Sequence, residues 1–295
     1  MPWRKGNRLK LVSEADATAS VREEFEQVKA ALGVPYVGSV FQAYAAYPEF
    51  LALAVGVLKN MAAWGEVLAL SERLRADAYT RVHNYFQVPN LGSDTARKRD
   101  ELAPVIELLQ YTTPLEMLLL AALLQSFEGA IGREDSGSEQ GGQQRKPEAS
   151  LYLVPEEEAP IAVKKRFADI KRVLAVPYVP DTFRALANWP DFFDAYWETA
   201  RALAQSPLFQ EYAYRLHETV WDITEELPGP IELTPAQMLE AGVLEEDIPS
   251  VVRITEMFCS SFPAITLLTA VARIGLDGGN LVEQPTPAGR HDSAA

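Results

Sequence analysis

Along residues 20–32 apolar side chains return every three or four positions, as Val21, Phe25, Val28 and Leu32. That spacing gathers them on one face of an α-helix. The same pattern recurs 142 residues later as Val163, Phe167, Ile170 and Leu174. The flanking windows extend the match. VREEFEQVKAALGVPYVGSVFQAYAAYPEF (Val21–Phe50) and VKKRFADIKRVLAVPYVPDTFRALANWPDF (Val163–Phe192) align without a gap, with 13 of 30 positions identical. A repeat at one fixed offset predicts two similar helical halves packed about a pseudo-two-fold axis.

In each half Val-Pro-Tyr-Val ends the first helix, because Pro35 and Pro177 restrain the residues before them. A short helix follows, ending at Tyr47-Pro48 and Trp189-Pro190, where a longer helix starts. Helix is expected over Gly65–Phe86 and Ser206–Glu226, with loops at Asn90–Asp94 and Leu227–Thr234. Thr234-Pro235 has the form of an N-cap followed by proline at the first helical position. The last helix of each half, Pro114–Phe127 and Pro263–Ile274, is strongly apolar and marks the centre of each core. The best strand candidate, Ala149–Val154, is too short to change an all-α reading. The expected organisation is a first helical repeat over 1–131 and a polar, glycine-rich flexible linker over 132–160. A second repeat over 161–277 and a disordered tail over 278–295 complete it.

Composition narrows the function. The 295 residues carry a formal charge of −14, which repels nucleic acid and anionic membranes and argues against both as partners. Cys259 is the single cysteine, so no intrachain disulfide forms. The start MPWRKGNRLKLVSEAD lacks an apolar h-region and does not read as a secretory signal. The most apolar run, Leu115–Leu124, is too short to span a bilayer and contains Glu116. A cytoplasmic location is the expectation. His83, His217 and His291 form no ligand cluster, and no HExxH, cysteine-rich spacing or phosphate-binding glycine loop is present. No metal or other cofactor is expected.

The two Val-Pro-Tyr segments, with VPYVGSVFQAYAAYP in the first half and Phe183-Arg-Ala-Leu-Ala-Asn-Trp-Pro190 in the second, resemble the group I 2-haloacid dehalogenases. The resemblance covers nearly the whole chain. It implies an all-helical tandem repeat forming an internal pseudo-dimer, of alkyl hydroperoxidase D-like helical architecture. It also implies a cofactor-independent hydrolysis of small 2-haloalkanoic acids. In that reaction an activated water displaces halide directly, inverting the carbon and accepting both enantiomers. The family pattern places its water-activating aspartate, preceded by a serine, just before the phenylalanine of the FRALANWP-like segment. Those two positions are Thr182 and Asp181 here, so the carboxylate stands one residue early. The family's tryptophan after Val-Pro is Tyr36 here, a phenylalanine three residues later is Ser39, and an asparagine before a proline is Thr113.

Such a displacement needs a base, donors that hold the substrate carboxylate, and an apolar slot for the halogen. Asp181 is the first choice for the base. Ser39 is its counterpart in the first repeat, and such asymmetry fits one active centre at the seam between the halves. Pro180-Asp181-Thr182 equally has the form of a helix N-cap. Asp191 and Glu116 are the second-choice acids. Asp191 is matched by Glu49, and an acid in the first turn after a proline is favoured by the helix dipole in either copy. Glu116 likewise reads as an acid in a first helical turn. Tyr36, Ser39, Thr113, Thr182 and Asn188 are the substrate-binding candidates. Asn188 also reads as the anchor of a turn, and Tyr36 with its repeat mate Tyr178 as core. No basic residue stands at the matched positions, although Arg184 is near; helix N-termini offer alternative donors for an anion.

Two other readings compete. An alkyl hydroperoxidase D-like enzyme needs a Cys-x-x-Cys pair, which Cys259-Ser260-Ser261 does not provide. A catalytically diverged, small-ligand-binding or structural member of the same fold is the alternative that the substitutions at Ser39, Thr113 and Thr182 leave open. The expected partner is a small anionic organic acid, and the expected assembly is a monomer or homodimer.

Overall fold

The computed structural model describes residues 9–92, 96–133 and 149–280. His291 and the tail beyond residue 280 lie outside the described residues, as does most of the expected linker. The described residues form eleven α-helices and one short 3-10 turn. In the first repeat these are α1 (Ala19–Leu32), α2 (Ser39–Tyr44), α3 (Pro48–Ala63), α4 (Gly65–Tyr85) and α5 (Ala96–Ser126). Their counterparts are α6 (Ile161–Leu174), α7 (Asp181–Leu186), α8 (Pro190–Ala204), α9 (Pro207–Ile223) and α11 (Ile248–Leu276), with α10 (Pro235–Glu240) added in the second repeat.

The local chemistry accounts for the boundaries. The Thr18 hydroxyl caps α1 by accepting from the Val21 N–H. The expected face of α1 is the buried one: Val21, Phe25, Val28 and Leu32. In α6 the buried set is Val163, Phe167 and Ile170, with Leu174 half-buried. Both helices end on a left-handed residue. Gly33 has φ 68° and donates to the Lys29 carbonyl; its repeat mate Ala175 takes the same turn at φ 55°. Only glycine adopts that region without a Cβ penalty. Pro48 and Pro190 open α3 and α8 at the helix start, where a missing N–H costs nothing. The Thr234 capping box opens α10.

The last helix of each half differs from expectation. Pro114 and Pro263 do not start helices; they lie inside α5 and α11, which run 31 and 29 residues. Each proline leaves the carbonyl four residues before it without its helical N–H. Thr112 and Thr113 donate to the Leu108 and Leu109 carbonyls at 3.1 and 2.7 Å. In α11 the His217 side chain lies near the backbone of Cys259, whose carbonyl is the one Pro263 deprives of an N–H. These two helices pack on each other as the central pair of the molecule. Both are long and apolar enough to cross a membrane, yet 89% and 72% of their most apolar windows are buried inside the protein. Their apolar surface is the core.

Pro114 and Pro263 stand 149 residues apart, and with that register Met117 and Thr266 are repeat mates. They touch: the Thr266 hydroxyl lies 3.7 Å from the Met117 sulfur. Residues related by a two-fold meet each other only at its axis, so α5 and α11 cross there. Residues 149–160, expected as the end of a flexible linker, lie against the body. Leu151 and Leu153 pack over Val105, Leu109 and Ala185. The Val154 N–H donates to the Arg184 carbonyl at 3.2 Å, and Ala159 is buried.

The repeat provides its own control for the left-handed turns. Gly33→Ala should lower stability by about 1 kcal/mol, whereas Ala175→Gly should leave it unchanged or raise it by up to about 1 kcal/mol. Urea-unfolding midpoints of the two variants check the opposite signs.

Candidate active site

The two Val-Pro-Tyr segments deliver α2 and α7 to the crossing of α5 and α11. The residue before each short helix, Gly38 or Pro180, makes no side-chain cap. The N–H of Ser39, first residue of α2, is satisfied from the other repeat: it donates to Asp181 Oδ2 at 2.8 Å. The Ser39 hydroxyl donates to Oδ1 of the same carboxylate at 2.6 Å. Ser39 and Asp181 are repeat mates, so this second contact of equivalent residues also marks the pseudo-two-fold. Asp181 therefore does cap a helix, but the partner repeat's helix and not its own. The Ser39 N–H is consequently engaged by protein and is not open to an anionic ligand. The Arg184 guanidinium approaches Oδ1 at 3.4 Å, and both side chains are only 14% exposed.

A small cavity lies against this contact. Its volume of about 10 Å3 is the room needed for roughly one water. Its polar wall is Tyr36, Ser39, Thr113, Glu116, Asp181 and Thr182; its apolar wall includes Leu109, Phe262 and Ile265. The walls are related by the repeat and differ chemically. Where α5 supplies Thr113 and Glu116, α11 supplies their mates Phe262 and Ile265. The two tyrosines keep equivalent partners. Tyr36 Oη lies 2.9 Å from the Thr112 hydroxyl, and Tyr178 Oη lies 3.2 Å from that of Ser261. Burial, then the charges of Glu116 and Asp181, drive the Tyr36 hydroxyl far above its ordinary range, so it stays protonated. Thr182 is buried and shares a 3.2 Å hydrogen bond with Thr269.

Glu116 sits in the interior of α5, not in a first helical turn as expected. It is 4% exposed, and its Oε1 has no hydrogen-bond partner. Burial foremost, and the Asp181 charge beside it, hold its carboxyl well above the usual carboxylate range. Gly38 makes room for it: a Cβ built there would stand 2.4 Å from Glu116 Oε1 and 3.5 Å from Asp181 Oδ2. With φ −64°, Gly38 is required for space and not for backbone conformation.

Six of the predicted residues thus converge: Asp181, Tyr36, Ser39, Thr113, Thr182 and Glu116. Two do not. The Asn188 amide donates to the Tyr152 and Ala185 carbonyls at 2.7 and 2.8 Å, fastening the 149–160 segment over the turn after α7. Asp191 is exposed and pairs with Lys98 at 2.9 Å on the surface. Neither lines the cavity. The sequence reading missed Gly38 and the apolar mates Phe262 and Ile265. Gly38 had a visible signal, since it faces proline in an otherwise shared Val-Pro-Tyr-Val context.

The family model described as halocarboxylic acid dehydrogenase DehI matches residues 35–176 and 177–295. The chain belongs to the DehI family. Among its relatives, an (R)-2-haloacid dehalogenase of Pseudomonas putida is 21% identical over 264 residues, covering 85% of this chain and 87% of that protein. A second (R)-2-haloacid dehalogenase, from Rhizobium sp. (strain NHG3), is 25% identical over 236 residues, covering 76% and 90%. The fold of this DehI member matches solved D-2-haloacid dehalogenase structures. One is a complex with L-LA, at TM-score 0.87 and 18% identity, covering 94% of this chain and 99% of that one. Another is a mutant complex with D-2-CPA, at TM-score 0.84 and 20% identity, covering 91% and 96%.

Gly38→Ala should force the Glu116 carboxyl to shift and cost about 1–3 kcal/mol of stability. Gly56→Ala, in α3 with nothing near its Cβ position, should gain about 0.5–1 kcal/mol. Denaturant titration of both separates close packing from the general effect of removing a glycine.

Proposed function

We propose that the chain hydrolyses small 2-haloalkanoic acids, the (R) enantiomer among them, in the cavity between the two repeats. The single observation that carries this reading is the Asp181 carboxylate, anchored by Ser39 and facing a cavity with one polar and one apolar wall. Two carboxylate oxygens offer about four lone-pair sites. Ser39 and Arg184 occupy two on Oδ1, and the Ser39 N–H one on Oδ2. The remaining site on Oδ2 accepts the proton of a water.

Water oxygen bonds to C2 as its proton passes to Asp181 Oδ2. The C2–halogen bond breaks and the pair of electrons leaves with the halide. The products are a 2-hydroxy acid of inverted configuration, a halide ion, and a protonated Asp181 that returns its proton to solvent. Phe262, Ile265 and Leu109 form the apolar slot for the halogen. Admitting a three-carbon acid requires the walls to part, because the cavity has room for about one water. The family's description names a dehydrogenase, whereas both curated relatives are dehalogenases. A pair of carboxylates is suited to moving protons rather than hydride, which favours hydrolysis.

Purified protein should release chloride from D-2-chloropropionate and form L-lactate. Asp181→Asn should lower kcat by about 10²–10⁴-fold with little effect on KM, as loss of a general base does. A halide-selective electrode and chiral chromatography of the product give both readings. Chloride release from neither enantiomer would overturn the proposal.

A further inference from the structure

We propose that Glu116, as a neutral carboxylic acid, is the donor that receives the substrate's carboxylate, in the place where an arginine or lysine would ordinarily stand. The inference rests on the hydrolytic reading above, which brings an anion into this cavity. It begins with a problem of charge. A 2-haloacid is itself an anion, and the cavity already contains two carboxyl groups and no lysine or arginine in its walls. Three negative charges in one small, mostly buried space would repel one another. One proton must stay in the cavity for the substrate to enter.

The surroundings decide which carboxyl holds it. Asp181 is provided for as an anion, because it accepts the Ser39 N–H and hydroxyl and faces the Arg184 guanidinium. Glu116 has none of this. It is fully buried, and Oε1 lacks any partner. That oxygen packs against Gly38 in the space a Cβ would fill, and the Glu116 side chain lines the cavity. Two carboxyls in one site with opposite provision divide into one anion and one acid. The groups facing Glu116 agree. Tyr36 and Tyr178 precede α2 and α7 and are themselves held neutral by burial. From α7 come Asp181 and, behind it, Arg184. The α11 wall presents Phe262 and Ile265, which do not ionise. Arg75 of α4 lines a separate cavity that shares Thr113 with this one. Burial and the neighbouring Asp181 charge both disfavour the charged form of Glu116. An acid O–H with no partner inside the protein is a donor in waiting, and a substrate carboxylate is the strongest acceptor the reaction brings.

Binding is then linked to a proton. Burial and the Asp181 charge raise the Glu116 pKa, and a bound anion raises it further. The sign follows: affinity is complete below the free-protein pKa of Glu116 and declines as pH rises through it, by up to about tenfold per unit.

The test uses propionate, an unreactive carboxylate without the halogen, titrated calorimetrically from about pH 5 to 9 in buffers of different ionisation enthalpy. The wild-type protein should bind with an affinity that falls on the alkaline side, taking up as much as one proton per ligand. Glu116→Gln keeps a neutral donor without an ionisation, so it should bind propionate with that slope and that uptake gone. Glu116→Leu should lose about tenfold or more in affinity. Wild-type affinity that is flat with pH and neutral in protons overturns the inference without relying on any variant folding. So does an absence of propionate binding, or a Glu116→Gln protein that keeps the wild-type slope. Halide release is followed beside it. Proton-linked binding without halide release supports the carboxylate site and overturns the hydrolytic reading; halide release with flat binding does the reverse.

Discussion

At the axis between the two halves a single carboxylate ties the short helix of one to that of the other. Asp181, first residue of α7, accepts both the first helical N–H of α2 and the hydroxyl of the serine that bears it. Charge-assisted bonds of this kind contribute about 1.5–3 kcal/mol each when shielded from water. The rest of the centre depends on them. They fix the entry of α2, which puts Gly38 over α5, and the gap at Gly38 is what leaves space for the Glu116 carboxyl.

Duplication explains both the symmetry and its useful failure. Equivalent residues meet at Ser39–Asp181 and at Met117–Thr266, and the tyrosines of the two Val-Pro-Tyr segments keep matching hydroxyl partners. At the cavity the copies have diverged in complementary ways. The first repeat contributes a carboxyl and a hydroxyl through α5, while α11 offers only apolar side chains at the same places. A symmetrical cavity would have presented a substrate with two identical walls. The divergence gives the cavity one polar side and one apolar side.

Much of the fold is legible in the sequence, because the 3.6-residue spacing of Val21, Phe25, Val28 and Leu32 and its copy at offset 142 leave few alternatives. The limits of the longest helices are not legible in the same way. Pro114 and Pro263 carry the mark of helix starts, yet both helices continue through them, because a proline removes one backbone bond from a long helix whose other bonds and buried faces remain. The 149–160 segment was hidden by its polar neighbours, since its anchoring is made by Asn188 and Leu153 against distant residues. For the site, Asp181, Ser39, Thr113 and Tyr36 follow from the repeat and from the family resemblance, yet their contact across the axis does not. The alignment pairs Ser39 with Asp181 as equivalents, and equivalence alone does not say that two residues touch. Glu116 is a second-choice acid for a related reason: once Pro114 is taken as a helix start, an acid two residues later also reads as part of a first helical turn.

In the proposed reaction water, positioned by Asp181, attacks C2 directly. A single turnover with protein in excess over D-2-chloropropionate, run in H2(18)O, tests it most directly. Direct attack places one (18)O in the lactate hydroxyl and none in the protein carboxyls, as mass spectrometry of product and peptides would read. Lactate carrying unlabelled oxygen, with (18)O found in Asp181 or Glu116, would contradict it, because the carboxylate would then have formed an ester with the substrate before water arrived.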